Sequence, residues 1–127
     1  ERRRCFLAAL RQELLLRADR GLAADSLYFG GGTPSLFAPT QLGGLIDGIG
    51  ASFHLSGDSE ITLEANPGTV TRSTLQGFRA AGVNRLNLGI QSFNDQNLAF
   101  LGRVHDARAA RRAMDNARAA GFEDIGV

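Results

Sequence analysis

Ser26-Leu27-Tyr28-Phe29-Gly30-Gly31-Gly32-Thr33-Pro34 is a short apolar run that stops in three glycines. Such a run, bounded by turn residues, reads as a strand over 26–30 with an open loop after it. A helix pattern follows over 39–53. Pro39 suits its first turn, and Leu42, Leu45, Ile46, Ile49 and Phe53 share one face. Strand and helix then recur. Residues 60–65 alternate as a strand. Thr71 is placed to cap a helix that turns Leu75 and Phe78 inward and stops at Gly82. Residues 85–90 alternate again. Asn94 is placed to cap a short helix through Leu98 and Leu101 that ends at Gly102. Asp106 is placed to cap a last one, with Ala110, Ala113, Met114 and Ala117 on one face and Gly121 after it. Residues 124–127 begin a fourth strand. Upstream, residues 3–20 read as a helix, with Phe6, Leu10 and Leu14 at a spacing of four and Gly21 as its stop. Strand starts recur every ~25–40 residues, which implies βαβ units with right-handed crossovers. The expected fold class is α/β with a parallel sheet, in one domain over 1–127.

Composition narrows the function. The 127 residues carry a net charge of +1, which argues against a dedicated nucleic-acid binder. All 14 basic residues are arginine, so no lysine serves a Schiff base or a phosphate loop. A single cysteine excludes a disulfide framework and any cluster needing three or four thiolates from this chain alone. Cys5 is expected to be a half-buried, inert thiol. No apolar run approaches ~18 residues, so no membrane span is expected. Arg2-Arg3-Arg4 before Phe6-Leu7 imitates a signal peptide, but Arg11-Gln12-Glu13 interrupts it too early. The expected location is cytoplasmic. A start at Glu1 and an end inside a strand pattern read as a piece of a longer chain.

The residues after each strand carry the chemistry. Gly30-Gly31-Gly32-Thr33-Pro34 follows the first strand, Glu64-Ala65-Asn66-Pro67-Gly68 the second, and Gln91-Ser92-Phe93 the third. In parallel α/β proteins, loops at the carboxyl ends of strands gather on the ligand-binding face. Without Cβ atoms, the glycine loop lets backbone approach a ligand closely. It matches neither GxxxxGK[ST] nor GxGxxG. Glu64 reads as the partner of a ligand ammonium or hydroxyl, or else as a salt bridge to Arg85 or Arg103. Gln91 reads as a ligand amide contact or a satisfied loop amide. Arg103 reads as a fork for a ligand carboxylate or as a surface arginine. His105 alone reads as structural or surface, and with only two histidines no metal site is legible. Arg108, Arg111, Arg112 and Arg118 read as a solvated helix face. Ser92 and His105 lack a nucleophile elbow, which leaves a hydrolase little support.

These motifs occur in order over almost the whole chain: Tyr28-Phe29-Gly30-Gly31-Gly32-Thr33-Pro34-Ser35, Glu64-Ala65-Asn66-Pro67-Gly68, Gly82-Val83-Asn84-Arg85-Leu86, Leu88-Gly89-Ile90-Gln91-Ser92-Phe93 and Leu101-Gly102-Arg103-Val104-His105. Together they resemble the radical S-adenosylmethionine proteins of the oxygen-independent coproporphyrinogen III oxidase family. The Leu-Gly-Arg-Val-His and Gln-Ser-Phe forms look closer to its haem-chaperone branch. The resemblance implies a partial (β/α)6 barrel with S-adenosylmethionine and a 4Fe–4S cluster. It implies cofactor contacts from Gly30, Gly31, Gly32 and Thr33 to the methionine moiety. It further implies contacts from Glu64, Gln91 and Arg103, with Arg103 on the carboxylate.

The family's CxxxCxxC loop lies upstream of the first helix and is absent here, and Cys5 cannot replace it. The family also continues beyond the position of Val127 with a further strand-end acid and a Gly-Leu-Pro motif. On this reading the chain is strands two to four and the start of five. It is expected alone neither to assemble a cluster nor to cleave S-adenosylmethionine. Three functions follow. The intact protein is a haem chaperone, binding haem and passing it to an accepting protein. Alternatively it is an enzyme that oxidatively decarboxylates coproporphyrinogen III with a 5′-deoxyadenosyl radical. The third is a non-catalytic α/β module whose glycines serve turns only. Open sheet edges also predict self-association.

Overall fold

The structure is a computed structural model that describes residues 2–127. Helix α1 (Arg2–Arg17) leads into strand β1 (Asp19–Phe29), and helix α2 (Pro39–Ser52) into strand β2 (Phe53–Ala65). Helix α3 (Arg72–Ala80) precedes strand β3 (Arg85–Leu88). Helices α4 (Asp95–Phe100) and α5 (Ala107–Ala119) precede strand β4 (Asp124–Gly126). The caps are those the sequence names. Thr71 Oγ1 accepts from the Thr74 N–H, Asn94 Oδ1 from Gln96 and Asn97, and Asp106 Oδ1 from Ala109. Each satisfies N–H groups that a first helical turn leaves unpaired.

The strands form one parallel sheet in the order β1-β2-β3-β4. That order repeats the sequence, with no reversal of direction along the sheet. Doubly wound folds reverse at a switch point, whereas barrel folds add strands consecutively in this way. Register fixes which residues share a face. Tyr28 pairs with Thr62, and Glu64 with Asn87, so Tyr28, Thr62, Glu64 and Asn87 lie on one face. Phe29, Leu63, Ala65, Leu86 and Leu88 lie on the other. That second face packs with Leu42 of α2, Leu75 and Phe78 of α3, and Ala110, Ala113 and Ala117 of α5 to form the core. The sheet is therefore apolar toward the helices and polar on its opposite side.

Three boundaries differ from the sequence reading. β1 begins at Asp19, where a helix to residue 20 is expected, and β2 begins at Phe53, inside the expected helix. Residues 19–24 pair with 53–55 through an irregular register and lie outside the core. Residues 19–23 are exposed, and only Phe53 and Leu55 opposite them are half-buried, too short an alternation to mark a strand. β3 ends at Leu88 rather than at 90, because the backbone turns there. The Gly89 N–H donates to Ala65 O at 2.8 Å, and the Ile90 N–H to Leu88 O at 2.7 Å. Cys5 is exposed rather than half-buried, because α1 buries only Leu7. The stripe of Phe6, Leu10 and Leu14 is exposed or half-buried, and Phe6 stacks on Phe37 at 6.2 Å.

Candidate functional site

The carboxyl ends of β1, β2 and β3 open onto a cavity of about 370 Å³. Five of the seven predicted residues line it: Gly31, Thr33, Glu64, Gln91 and Arg103. Gly30 and Gly32 do not. They line an adjoining apolar groove of about 700 Å³ between α1, β1 and α2. The loop alternates, so its middle glycine alone faces the polar cavity.

Glu64 is held by hydrogen bonds, not by an arginine. Its Oε1 accepts from the Tyr28 hydroxyl at 2.7 Å, and its Oε2 from the Gly31 N–H at 3.1 Å. The Tyr28 oxygen in turn accepts from Asn87 Nδ2 at 3.0 Å. The salt-bridge alternative is overturned. Among the described residues Arg85 pairs with Glu60 at 3.1 Å and Asp124 at 3.3 Å, and Arg103 pairs with no carboxylate. The Glu60 carboxylate, then Asp124, holds the Arg85 guanidinium above its usual range.

Arg103 lies across the other side of the cavity. Its Nη2 donates to Asn66 Oδ1 at 3.0 Å and to Gly89 O at 2.8 Å. Its Nε is buried and has no hydrogen-bond partner among the described residues. Close approach explains Gly89. A Cβ there would sit 2.8 Å from Asn66 Oδ1 and 3.4 Å from Arg103 Nη2. Asn66 Nδ2 also reaches Thr33 Oγ1 at 3.4 Å, which ties the first loop to the second. Thr33 and Gln91 have φ of 63° and 68°, the left-handed region that non-glycine residues seldom adopt. Both line the cavity, and strained backbone concentrates at functional sites.

Sequence reasoning missed Tyr28, Asn66 and Asn87 as parts of the site. The signal was present for two of them. Tyr28 and Asn87 are polar residues at alternate positions near strand ends, off the apolar face. His105 is buried, with Nε2 3.0 Å from Ile90 O, and it does not meet Ser92. Arg111 lies 5.3 Å over the Phe93 ring, and Arg118 reaches the Glu123 carbonyl at 2.6 Å. Arg108, Arg111, Arg112 and Arg118 are all exposed, so their helix face is solvated as the sequence predicts.

Among the described residues no three His, Cys, Asp or Glu side chains are grouped to hold a metal. No described helix is long and apolar enough to cross a membrane.

The family profile described as "Radical SAM superfamily" matches residues 8–127. The chain belongs to the Radical SAM superfamily. It is 43% identical over 116 residues to "Radical S-adenosyl methionine domain-containing protein 1, mitochondrial" of Bos taurus, covering 91% of this chain and 26% of that protein. It is 40% identical over 108 residues to "Heme chaperone HemW" of Escherichia coli K12, covering 85% of this chain and 29% of that one. A solved structure titled "Coproporphyrinogen III oxidase (HemN) from Escherichia coli is a Radical SAM enzyme" superposes with a TM-score of 0.81 at 32% identity. That match covers 94% of this chain and 28% of the other. The chain thus spans between a quarter and a third of the length of these relatives. Its α/β fold of four parallel strands is that of part of a radical SAM protein. Membership implies S-adenosylmethionine and an iron–sulfur cluster for an intact radical SAM protein, and the described residues supply no cluster ligand set.

Proposed function

We propose that this chain is the S-adenosylmethionine-binding part of a longer protein that binds haem and passes it to an acceptor. The chain would supply strands two to four and the start of five of a partial (β/α)6 barrel. The cavity between Glu64 and Arg103 carries the first half of this reading. S-adenosylmethionine presents a carboxylate, an ammonium and ribose hydroxyls, and the cavity presents groups of matching character. Arg103 keeps guanidinium donors beyond the two that Nη2 uses, which suits a carboxylate. Glu64 keeps acceptor capacity beyond its two bonds and suits an ammonium or hydroxyl. Gly31 and Thr33 offer backbone to the methionine moiety, and the Gln91 amide suits polar groups of the nucleoside. When bound, S-adenosylmethionine supplies a sulfonium open to one-electron cleavage. The residues of this chain bind and orient it.

The residues do not fit the cluster. One exposed cysteine cannot hold four irons, so no redox step is assigned to this chain.

Support for haem handling comes from the relatives named heme chaperone, which reach 42% identity. Porphyrinogen oxidation is the second reading, favoured by the HemN structure at 32% identity. The location proposed is cytoplasmic, beside relatives whose names place them in mitochondria. The test uses the full-length protein. Calorimetric titration should show S-adenosylmethionine binding that Glu64→Gln and Arg103→Ala each weaken. Spectroscopic titration should show stable haem binding. Turnover of coproporphyrinogen III without haem retention would replace the first reading by the second.

A further inference from the structure

Two consecutive carbonyls at the end of β3 are held by one downstream segment. Arg103 Nη2 donates to Gly89 O at 2.8 Å, and His105 Nε2 lies 3.0 Å from Ile90 O. A carbonyl only accepts, so Nε2 carries the proton and donates. His105 is only 8% exposed, and no part of the proposed cofactor chemistry uses it. Gln91 follows Ile90 directly, with φ of 68°. Such a backbone persists only where its surroundings over-determine it. Here they do so from both sides. The amides of Gly89 and Ile90 are tied to Ala65 O and Leu88 O, and their carbonyls to Arg103 and His105.

We propose that His105 is a positioning residue. By fixing the Ile90–Gln91 peptide, it holds Gln91 in the left-handed conformation on the cavity wall. This rests on the reading of that cavity as the S-adenosylmethionine site. The Nε2 donor of the imidazole is occupied by a structural carbonyl. Ser92 is likewise occupied, its Oγ accepting from the Asn94 N–H at 3.1 Å.

The experiment is a double-mutant cycle in the full-length protein, read by S-adenosylmethionine titration. His105→Leu keeps bulk and removes the donor, His105→Gln keeps a donor, and Gln91→Ala removes the positioned amide. We expect His105→Leu to weaken binding about tenfold, the size of coupling seen between residues in one hydrogen-bond network. His105→Gln should restore most of the loss. In the Gln91→Ala background, His105→Leu should weaken binding no further. Equal losses in both backgrounds would overturn the proposal, as would equal losses in the Leu and Gln variants. A crystal structure of His105→Gln or His105→Leu reads the positioning itself. Residue 91 should keep its positive φ in the Gln variant and leave that region in the Leu variant. A φ unchanged in the Leu variant defeats the proposal whatever the cofactor does. A wild-type protein without affinity for S-adenosylmethionine would defeat the site reading instead, and the φ comparison would still decide the positioning.

Discussion

The Tyr28 phenol and the Glu64 carboxylate join neighbouring strands through one hydrogen bond of 2.7 Å. Tyr28 is half exposed, so the bond is worth less than a buried charged one. It nevertheless sets the direction of a carboxylate that β1 and the glycine loop after it share. In the full-length protein, Tyr28→Phe should weaken S-adenosylmethionine binding by about 1 kcal/mol, with only a small change in melting temperature. Calorimetry on the pair of proteins checks it, and unchanged affinity would show that the Gly31 amide suffices to orient Glu64.

Gly89→Ala should cost more than its size suggests. The added methyl meets Asn66 Oδ1 at 2.8 Å, and Asn66 is the group that Arg103 holds. Either the Asn66–Arg103 bond opens or the strand exit shifts. Affinity should fall by about 1–3 kcal/mol, as for a displaced charged hydrogen bond. Retained affinity would mean that the guanidinium is not the carboxylate anchor.

Arg103→Lys preserves charge and removes the fork. An ammonium on a flexible stem cannot reproduce the planar donor set at Asn66 Oδ1, Gly89 O and the cavity. We expect a loss nearly as large as for Arg103→Ala, read by the same titration. Near-complete rescue by lysine would point to a simple point-charge role.

Two helix glycines should respond in opposite senses. A Cβ on Gly77 would lie 2.7 Å and 2.9 Å from Pro39 ring carbons, because α3 packs closely on the start of α2. Gly77→Ala should destabilise by about 1–3 kcal/mol through overpacking. Gly50 lies in α2 with nothing within 4 Å, so Gly50→Ala should stabilise by about 0.5–1 kcal/mol. Denaturant melts of both variants decide. A stabilising Gly77→Ala would refute the close helix approach.

The chain by itself should form no iron–sulfur cluster. Anaerobic reconstitution with iron and sulfide should leave no stoichiometric charge-transfer absorbance, because Cys5 is the sole thiol. A stoichiometric band would require ligands that the described residues do not group.

The sequence made the parallel alternation legible where burial enforced it. Leu63, Leu86 and Leu88 are fully buried, and their spacing shows in the residues. Glu64 and Gln91 were readable as candidate site residues because a carboxylate and an amide stand where strands end, and Arg103 because it follows the glycine that stops α4. The ribbon of 19–24 against 53–55 was illegible, since residues 19–23 are exposed and only Phe53 and Leu55 opposite them are half-buried. The Glu64 environment was illegible too. Arginines 85 and 103 were the natural partners on charge alone, but register carries Arg85 to Glu60 and Asp124. A phenol on the adjacent strand and a backbone amide took the place that sequence gave to a cation. Nothing in local spacing foretells the left-handed Gln91, because it arises from carbonyls fixed by residues 14 and 15 positions away.

Strand order that repeats chain order has a consequence for synthesis. Two of the bonds that assemble the cavity join segments 36 and 37 residues apart, and each strand pairs with the one laid down before it. A nascent chain leaving the ribosome can therefore close Tyr28 onto Glu64 before Arg103 has emerged. Arg103 then meets an Asn66 already in place. Non-local pairings fold slowly and leave apolar surface open to association, and among the described residues of the cavity only the Asn87–Tyr28 bond has to wait for a strand two places on.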